Sequence, residues 1–161
     1  MAESTGGSQA LVISRVFNVA RDKVWQAWAD PQLVMRWWGP KGFTAPVCKA
    51  DFRVDGKYLY CMRSPEGKDF WSTGIYQEIV PMERIVFTDN FADEQGNVVP
   101  ASYYGMADLP NDLVVTITLE EIEGDKTKFT LRHEGLLEGE MKEQSAVGWN
   151  EFLDKLAEIL K

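Results

Sequence analysis

Histidine and cysteine are scarce in this chain of 161 residues, which has one histidine and two cysteines. His133, Cys48 and Cys61 cannot supply the usual zinc ligand set, so no metal site is predicted. Glycine-rich phosphate loops are missing as well, because neither Gly6-Gly7 nor Val54-Asp55-Gly56 matches a nucleotide-binding fingerprint. No nucleophile motif is recognisable either. These absences disfavour nucleotide and hydrolase chemistry, and we expect no cofactor.

Positive charge is also in short supply, since 17 Lys and Arg stand against 25 Asp and Glu and give a net charge of −8. Such a chain lacks the basic patch that neutralises phosphates, so we expect neither nucleic acid nor anionic membranes as partners. No stretch approaches the roughly 20 apolar residues of a membrane-spanning helix. Residues 1–9 are small and polar without a basic signal region, which predicts a flexible tail before a single domain at 10–161.

The residues that are present predict a folded domain with an aromatic interior. Hydrophobic residues make up 45% of the chain and aromatic residues 12%, a composition typical of globular proteins. The most informative motif is Arg36-Trp37-Trp38-Gly39-Pro40. Adjacent tryptophans need a large apolar surface to cover, and Gly-Pro ends a helix. We therefore predict that the pair lies at a helix end, where it plugs or lines a cavity.

Hydrophobic periodicity predicts an α+β order of elements. An alternating strand at 11–19, interrupted by Arg15, precedes a helix at 20–29 and a short second helix that begins at Pro31. The closing helix at about 140–160 carries an apolar stripe that includes Trp149 and Phe152. Between them the predicted strands are 43–54, 58–63, 70–80, 84–90, Leu113–Ile122 and 127–134.

Two connections carry specific predictions. A hairpin turn at Asp55-Gly56 sets Cys61 opposite Ala50 and makes Cys48 a diagonal neighbour. Diagonal neighbours lie roughly 7–8 Å apart, at or beyond disulfide reach, which favours free thiols in a reducing cytoplasm. The long segment 91–111 contains tyrosines, whose rings would be left in water on a fully solvated loop, so we predict a lid or rim element there.

Short motifs spread over about 11–160 match a known family. They are Arg15, Phe17, Val24-Trp25, Trp28, Asp30-Pro31, Arg36-Trp37-Trp38-Gly39-Pro40, Gly56, Met62, Pro65, Gly67, Gly74, Tyr76, Glu78-Ile79, Pro81, Glu83-Arg84-Ile85, Gly148-Trp149, Leu153 and Leu156. On these residues the chain resembles the group related to the activator of Hsp90 ATPase, within the START and Bet v 1-like (SRPBCC) superfamily. The resemblance implies a helix-grip fold, in which a curved antiparallel sheet of six to seven strands wraps around a long C-terminal helix. Two short helices follow the first strand, and a cavity lies between sheet and helix. The fold implies no single reaction.

Large apolar side chains on these elements are the candidate ligand-binding residues, because together they can line an apolar pocket of several hundred cubic ångströms. Each of them can equally be ordinary core. The candidates are Trp38, Tyr58, Tyr60, Met62, Trp71, Tyr76, Phe87, Trp149 and Phe152, together with His133.

His133 and Glu78 are weak candidates for catalysis. His133 shares strand parity with Phe129 and Leu131, so it faces the interior as either a general base or a satisfied core imidazole. No partner is adjacent in sequence, which favours the second role. Glu78 lies in the cavity if Tyr76 marks the interior face of its strand, and in solvent if Ile79 does.

Three functions follow as hypotheses. The leading one is a cytoplasmic binding domain for a small apolar molecule, aromatic or lipid-like. The second is a cyclase or dehydratase acting on a polyketide-like substrate, with His133 or Glu78 as base. The third is an interaction module that binds a chaperone, and self-association is left open.

Overall fold

A computed structural model describes residues 10–105, 113–135 and 140–160. The predicted tail at 1–9 lies outside the described residues, as do the side chains of residues 140 and 141. The helices are α1 (Arg21–Ala29), α2 (Pro31–Val34) and α3 (Glu140–Ile159). The strands are β1 (Leu11–Phe17), β2 (Thr44–Ala50), β3 (Lys57–Arg63), β4 (Asp69–Val80), β5 (Arg84–Ala92), β6 (Leu113–Ile122) and β7 (Lys126–Glu134). A 3-10 turn spans Ala101–Tyr104.

The strands form one curved antiparallel sheet in the order β1-β7-β6-β5-β4-β3-β2, which confirms the predicted helix-grip fold. Side chains alternate between the two faces of the sheet, so every second residue of a strand points into the core. On β6, Leu113, Val115, Ile117 and Leu119 are all buried. Helices α1 and α2 are separated at Asp30, whose carboxylate accepts a hydrogen bond from the Gln32 N–H at 3.0 Å while Pro31 opens α2. None of the described helices is long and apolar enough to cross a membrane.

Helix α3 is held at both of its flanks by polar contacts. On one side Arg15 of β1 donates to the backbone and side-chain oxygens of Asn150 at 3.0 and 3.1 Å, and pairs with Asp154 at 2.8 Å. On the other side the Lys155 ammonium donates to backbone carbonyls of the loop at residues 38–43, here called the Trp38 loop. Arg15 therefore interrupts the apolar face of β1 because it holds the helix.

The register of the β2–β3 hairpin differs from the prediction. Cys48 lies opposite Tyr60 and Cys61 lies opposite Val47, not opposite Ala50. The prediction was wrong because Asp55-Gly56 is not a two-residue turn. The connection is a longer loop in which Gly56 N–H donates to the Arg53 carbonyl at 2.8 Å. Both cysteines are free thiols.

The segment predicted as a lid or rim at 91–111 is partly regular. Ala92 ends β5 and forms an isolated bridge with Val98. The Tyr104 hydroxyl donates to the Ala92 carbonyl and accepts from the Trp71 N–H, so the 3-10 turn is fixed to the ends of β4 and β5. Residues 106–112 lie outside the described residues, and movement of this segment stays a prediction.

Candidate functional site

A small cavity lies between the two short helices and the concave face of β3, β4 and β5. Its walls are Trp28, Val34, Trp38, Tyr58, Tyr60, Tyr76, Ile85 and Phe87. The centre of a water molecule can move within about 10 Å³ of it, which is about enough to hold one water. The expected pocket of several hundred cubic ångströms is therefore not open in this conformation, because aromatic rings from both sides fill it.

The two adjacent tryptophans lie in different environments, Trp37 in the core and Trp38 at the cavity wall. Trp37 is fully buried, and its Nε1 donates to the Ala27 carbonyl at 3.0 Å, which fixes α1 to the turn that follows α2. Trp38 points to the cavity and meets Tyr60 and Phe152 with ring centroids 5.0 and 4.9 Å apart. The pair follows the end of α2, as predicted, and Trp38 borders the small cavity, while its role in a binding pocket stays a prediction.

The Trp38 loop is shaped by glycine and fastened to α3. Gly39 has φ +106°, and a Cβ there would lie 3.0 Å from the Cβ of Phe43. The Lys155 ammonium donates to the carbonyls of Trp38 at 3.3 Å and Phe43 at 2.9 Å. Glu151 accepts from the Lys41 N–H at 3.2 Å. Helix α3 therefore holds the Trp38 loop through two of its side chains.

Three tyrosine hydroxyls supply polarity to the cavity walls. Tyr58 donates to the Thr88 carbonyl at 2.9 Å, while the hydroxyls of Tyr60 and Tyr76 share a hydrogen bond at 3.4 Å. Burial raises the pKa of Tyr76 to about 12 and that of the other two well above the usual value. All three are therefore protonated at neutral pH. Asp89, beside the Tyr58 hydroxyl at 3.4 Å, has its pKa raised to about 6 by burial.

His133 lies inside, as its parity predicted, with 4% of its surface exposed. The Trp149 Nε1–H donates to its Nδ1 at 2.9 Å, so the proton of the neutral imidazole is on Nε2. Burial lowers the pKa of His133 to about 4, which keeps the ring neutral at pH 7. Neither nitrogen is free to accept a proton in this arrangement, and Nε2 is a buried donor with no partner.

Glu78 lies in solvent, so its interior alternative is wrong. Its carboxylate pairs with Arg84 at 2.9 and 3.1 Å, and that guanidinium lowers the pKa of the carboxyl. A β-bulge between Tyr76 and Glu78 explains why parity gave no answer. The extra residue lets Tyr76 and Ile79 both contact the core while Glu78 points outward.

The predicted binding residues separate into three groups. Five of them line the cavity, namely Trp38, Tyr58, Tyr60, Tyr76 and Phe87. Three continue the aromatic interior beyond Trp38, where Trp149 contacts Phe152 at 5.1 Å and His133 at 5.9 Å between ring centroids. Met62 is half-buried against the core, and Trp71 lies outside both the cavity wall and the core cluster.

Sequence reasoning missed three cavity residues, Trp28, Val34 and Ile85. In the sequence, Trp28 was identified only as one of the residues that match the family motifs. It stacks on Phe129 at 5.8 Å, and its buried Nε1 has no hydrogen-bond partner. Among the described residues, no cluster of His, Cys, Asp and Glu is placed to hold a metal ion.

The architecture and the aromatic interior define the class of protein as START and Bet v 1-like, with a helix-grip fold. The model of the family described as "Activator of Hsp90 ATPase homolog 1-like protein" matches residues 18–161, so the chain belongs to this family.

Solved structures of bacterial proteins are similar over most of the chain. Protein CV1439 from Chromobacterium violaceum is 29% identical, with a TM-score of 0.77 over 94% of this chain and 96% of that one. A protein from Arthrobacter aurescens is 27% identical, with a TM-score of 0.76 over 94% and 85% of the two chains. Protein Ms6760 from Mycobacterium smegmatis is 26% identical, with a TM-score of 0.74 over 94% and 87%. No curated protein matches this sequence.

Proposed function

We propose that the chain binds a small apolar molecule, aromatic or lipid-like, in the interior between the sheet and α3. The observation that carries the proposal is a cavity walled mainly by aromatic rings, one of which, Trp28, holds a buried N–H without a partner. Buried donors without partners are rare in folded proteins, because each one loses its bond to water. We propose that a ligand that enters this interior gains apolar burial and that an acceptor on it pairs with that donor.

The filled cavity means that binding requires movement of its walls. Trp38 is the wall residue that belongs to a loop, and Lys155 and Glu151 of α3 hold that loop in place. We propose that the ligand displaces the Trp38 ring. This ring packs against Trp149 and Phe152, which extend the aromatic interior beyond the cavity. Tyr58, Tyr60, Tyr76 and Phe87 then form the opposite wall, and Met62 and Trp71 stay at the periphery.

The protein environment that we propose is the cytoplasm. Cys48 and Cys61 are both free, and burial raises their thiol pKa values to about 12 and about 11. Such thiols resist oxidation and suit a reducing compartment. The net charge of −8 argues against anionic surfaces as partners.

The cyclase or dehydratase alternative receives less support from the geometry. A general base needs a free lone pair within reach of its substrate. The Nδ1 lone pair of His133 already accepts from Trp149, and Glu78 is paired with Arg84 on the surface.

Chaperone binding is the second candidate function. Two observations favour it: the description of the family, and the exposure of Val12 and Val16 on edge strand β1, 52% and 54%. A pull-down in which immobilised Hsp90 retains the wild-type chain but not the double variant Val12→Lys/Val16→Lys would support chaperone binding.

Native mass spectrometry of gently purified protein tests the leading proposal. We expect a stoichiometric small molecule in the wild type, or a thermal shift with members of an aromatic and lipid library. Ile85→Phe narrows the cavity and should abolish both, whereas Ile75→Phe, at a position that is 38% exposed, should keep them. An apo mass with no thermal shift across the library would contradict the proposal.

A further inference from the structure

Two buried side-chain nitrogens in the described interior have no hydrogen-bond partner, and both are donors. Among the described residues, the buried side-chain nitrogen and oxygen atoms without a partner are Trp28 Nε1 and His133 Nε2. An indole N–H can only donate. The imidazole Nε2 must also carry a proton, because Nδ1 accepts from Trp149 at 2.9 Å. Both side chains are well buried, with 6% and 4% of their surfaces exposed.

The tyrosine hydroxyls add one more spare proton. Tyr60 and Tyr76 share a single hydrogen bond, so the hydroxyl that accepts it keeps its own proton free. The Tyr58 proton is already used on the Thr88 carbonyl. The spare protons therefore belong to two wall positions, Trp28 and one hydroxyl of the Tyr60–Tyr76 pair, and to His133 next to Trp149.

The same walls carry no charge. Among the described residues, the eight that line the cavity are uncharged, and His133 is neutral. The ammonium of Lys155 is occupied by the carbonyls of the Trp38 loop. A buried carboxylate or ammonium on a ligand would lose its hydration without meeting an opposite charge on the wall, since the Asp89 carboxyl accepts from the Tyr58 hydroxyl and does not line the cavity.

From this arrangement we infer that the ligand carries a neutral hydrogen-bond acceptor, a ketone, lactone or ester carbonyl, on an apolar ring system. The inference rests on the proposed function and deepens it, because it names the polar end that the interior recognises. A carbonyl oxygen accepts hydrogen bonds without carrying a charge, so it can pair with a spare donor. An amine, a carboxylate or a plain hydrocarbon leaves these donors unsatisfied or buries a charge.

A matched series of bicyclic probes tests this inference by isothermal titration calorimetry on the wild-type chain. The probes are 1-tetralone, tetralin, 1-aminotetralin and tetralin-1-carboxylate, which share one carbon skeleton and differ in the polar group. We expect 1-tetralone to bind about 10-fold more tightly than tetralin, as one added hydrogen bond to a buried donor predicts. The amine and the carboxylate should bind more weakly than tetralin.

Variants then assign the preference to a donor. Trp28→Phe should reduce the advantage of 1-tetralone over tetralin to less than about threefold, because it removes the free N–H. Trp37→Phe is the matched control, since it makes the same ring change where the N–H already bonds to Ala27. That variant should keep the preference. If either variant fails to fold, the wild-type comparison alone still decides.

The possible failures are distinguishable. Equal binding of tetralin and 1-tetralone would overturn the inference and leave the proposed function standing. Tighter binding of the amine or the carboxylate would also overturn it. No binding by any of the four probes, together with no hit in the wider library, would overturn both.

Discussion

Gly74 is the position where the structure predicts the sharpest response to one added methyl group. It lies opposite Tyr58 on β3, whose ring covers it and whose hydroxyl reaches Thr88 on β5. A Cβ at this position would lie 1.8 Å from the Thr88 carbonyl oxygen and 2.7 Å from the Tyr58 ring. Gly74→Ala must therefore push β5 or the Tyr58 ring away.

The cost follows from those contacts. Overpacking in a rigid sheet costs about 1–3 kcal/mol, and loss of the buried hydrogen bond from Tyr58 to Thr88 adds about 1 kcal/mol. We expect Gly74→Ala to lower the free energy of unfolding by about 2–4 kcal/mol. The displaced Tyr58 ring should also weaken binding of any ligand that the cavity admits.

Gly148→Ala is the matched control, because the same chemical change should have the opposite sign. Gly148 lies inside α3, and a Cβ there meets nothing within 4 Å. Alanine is favoured over glycine in a helix by up to about 1 kcal/mol, so this variant should be more stable than the wild type. Urea unfolding followed by tryptophan fluorescence measures both. A Gly74→Ala variant whose free energy of unfolding lies within about 0.5 kcal/mol of the wild-type value would refute the packing argument.

Three further predictions concern titration and the Trp38 loop. His133, whose pKa is about 4 when folded against 6.5 otherwise, binds fewer protons in the folded state, so stability falls as pH drops through that window. His133→Gln should remove about 3 kcal/mol of this dependence, and equal slopes in wild type and variant would count against it. The pH dependence that Asp89 contributes has the opposite sign. Its pKa is about 6 in the folded state against 3.8 otherwise, so the wild type loses stability relative to Asp89→Asn as pH rises from 4 to 6. A constant stability difference across that range would contradict this. Lys155→Met should cost about 1–3 kcal/mol and speed ligand association in stopped-flow fluorescence, whereas an unchanged rate would show that the loop does not control access.

The order of elements could be predicted from the sequence because periodicity reports burial directly. Strand β6 begins and ends where alternation predicts, at Leu113 and Ile122. On β1, the alternation marked Arg15 as an interruption but did not show its role, because its partners, Asn150 and Asp154, are distant in sequence. Patterns thus give the face of a residue but not the partner across the core.

The site was less predictable for two physical reasons. The bulge between Tyr76 and Glu78 switches parity within one strand, so no period-two argument could place Glu78. Cavity size depends on how rings from different elements interdigitate, which composition does not report. Five predicted residues do line the cavity, but the space among them is about that of one water.

The central claim is that a ligand carbonyl accepts hydrogen bonds from free donors in an aromatic interior. The most direct measurement is a two-dimensional 1H–15N NMR spectrum of the tryptophan indole groups with and without saturating 1-tetralone, assigned with Trp28→Phe and Trp37→Phe. We predict that the Trp28 Nε1–H signal moves downfield as it gains a partner, while the Trp37 signal, already bonded to Ala27, stays in place. An unchanged Trp28 signal in the presence of bound 1-tetralone would contradict the account.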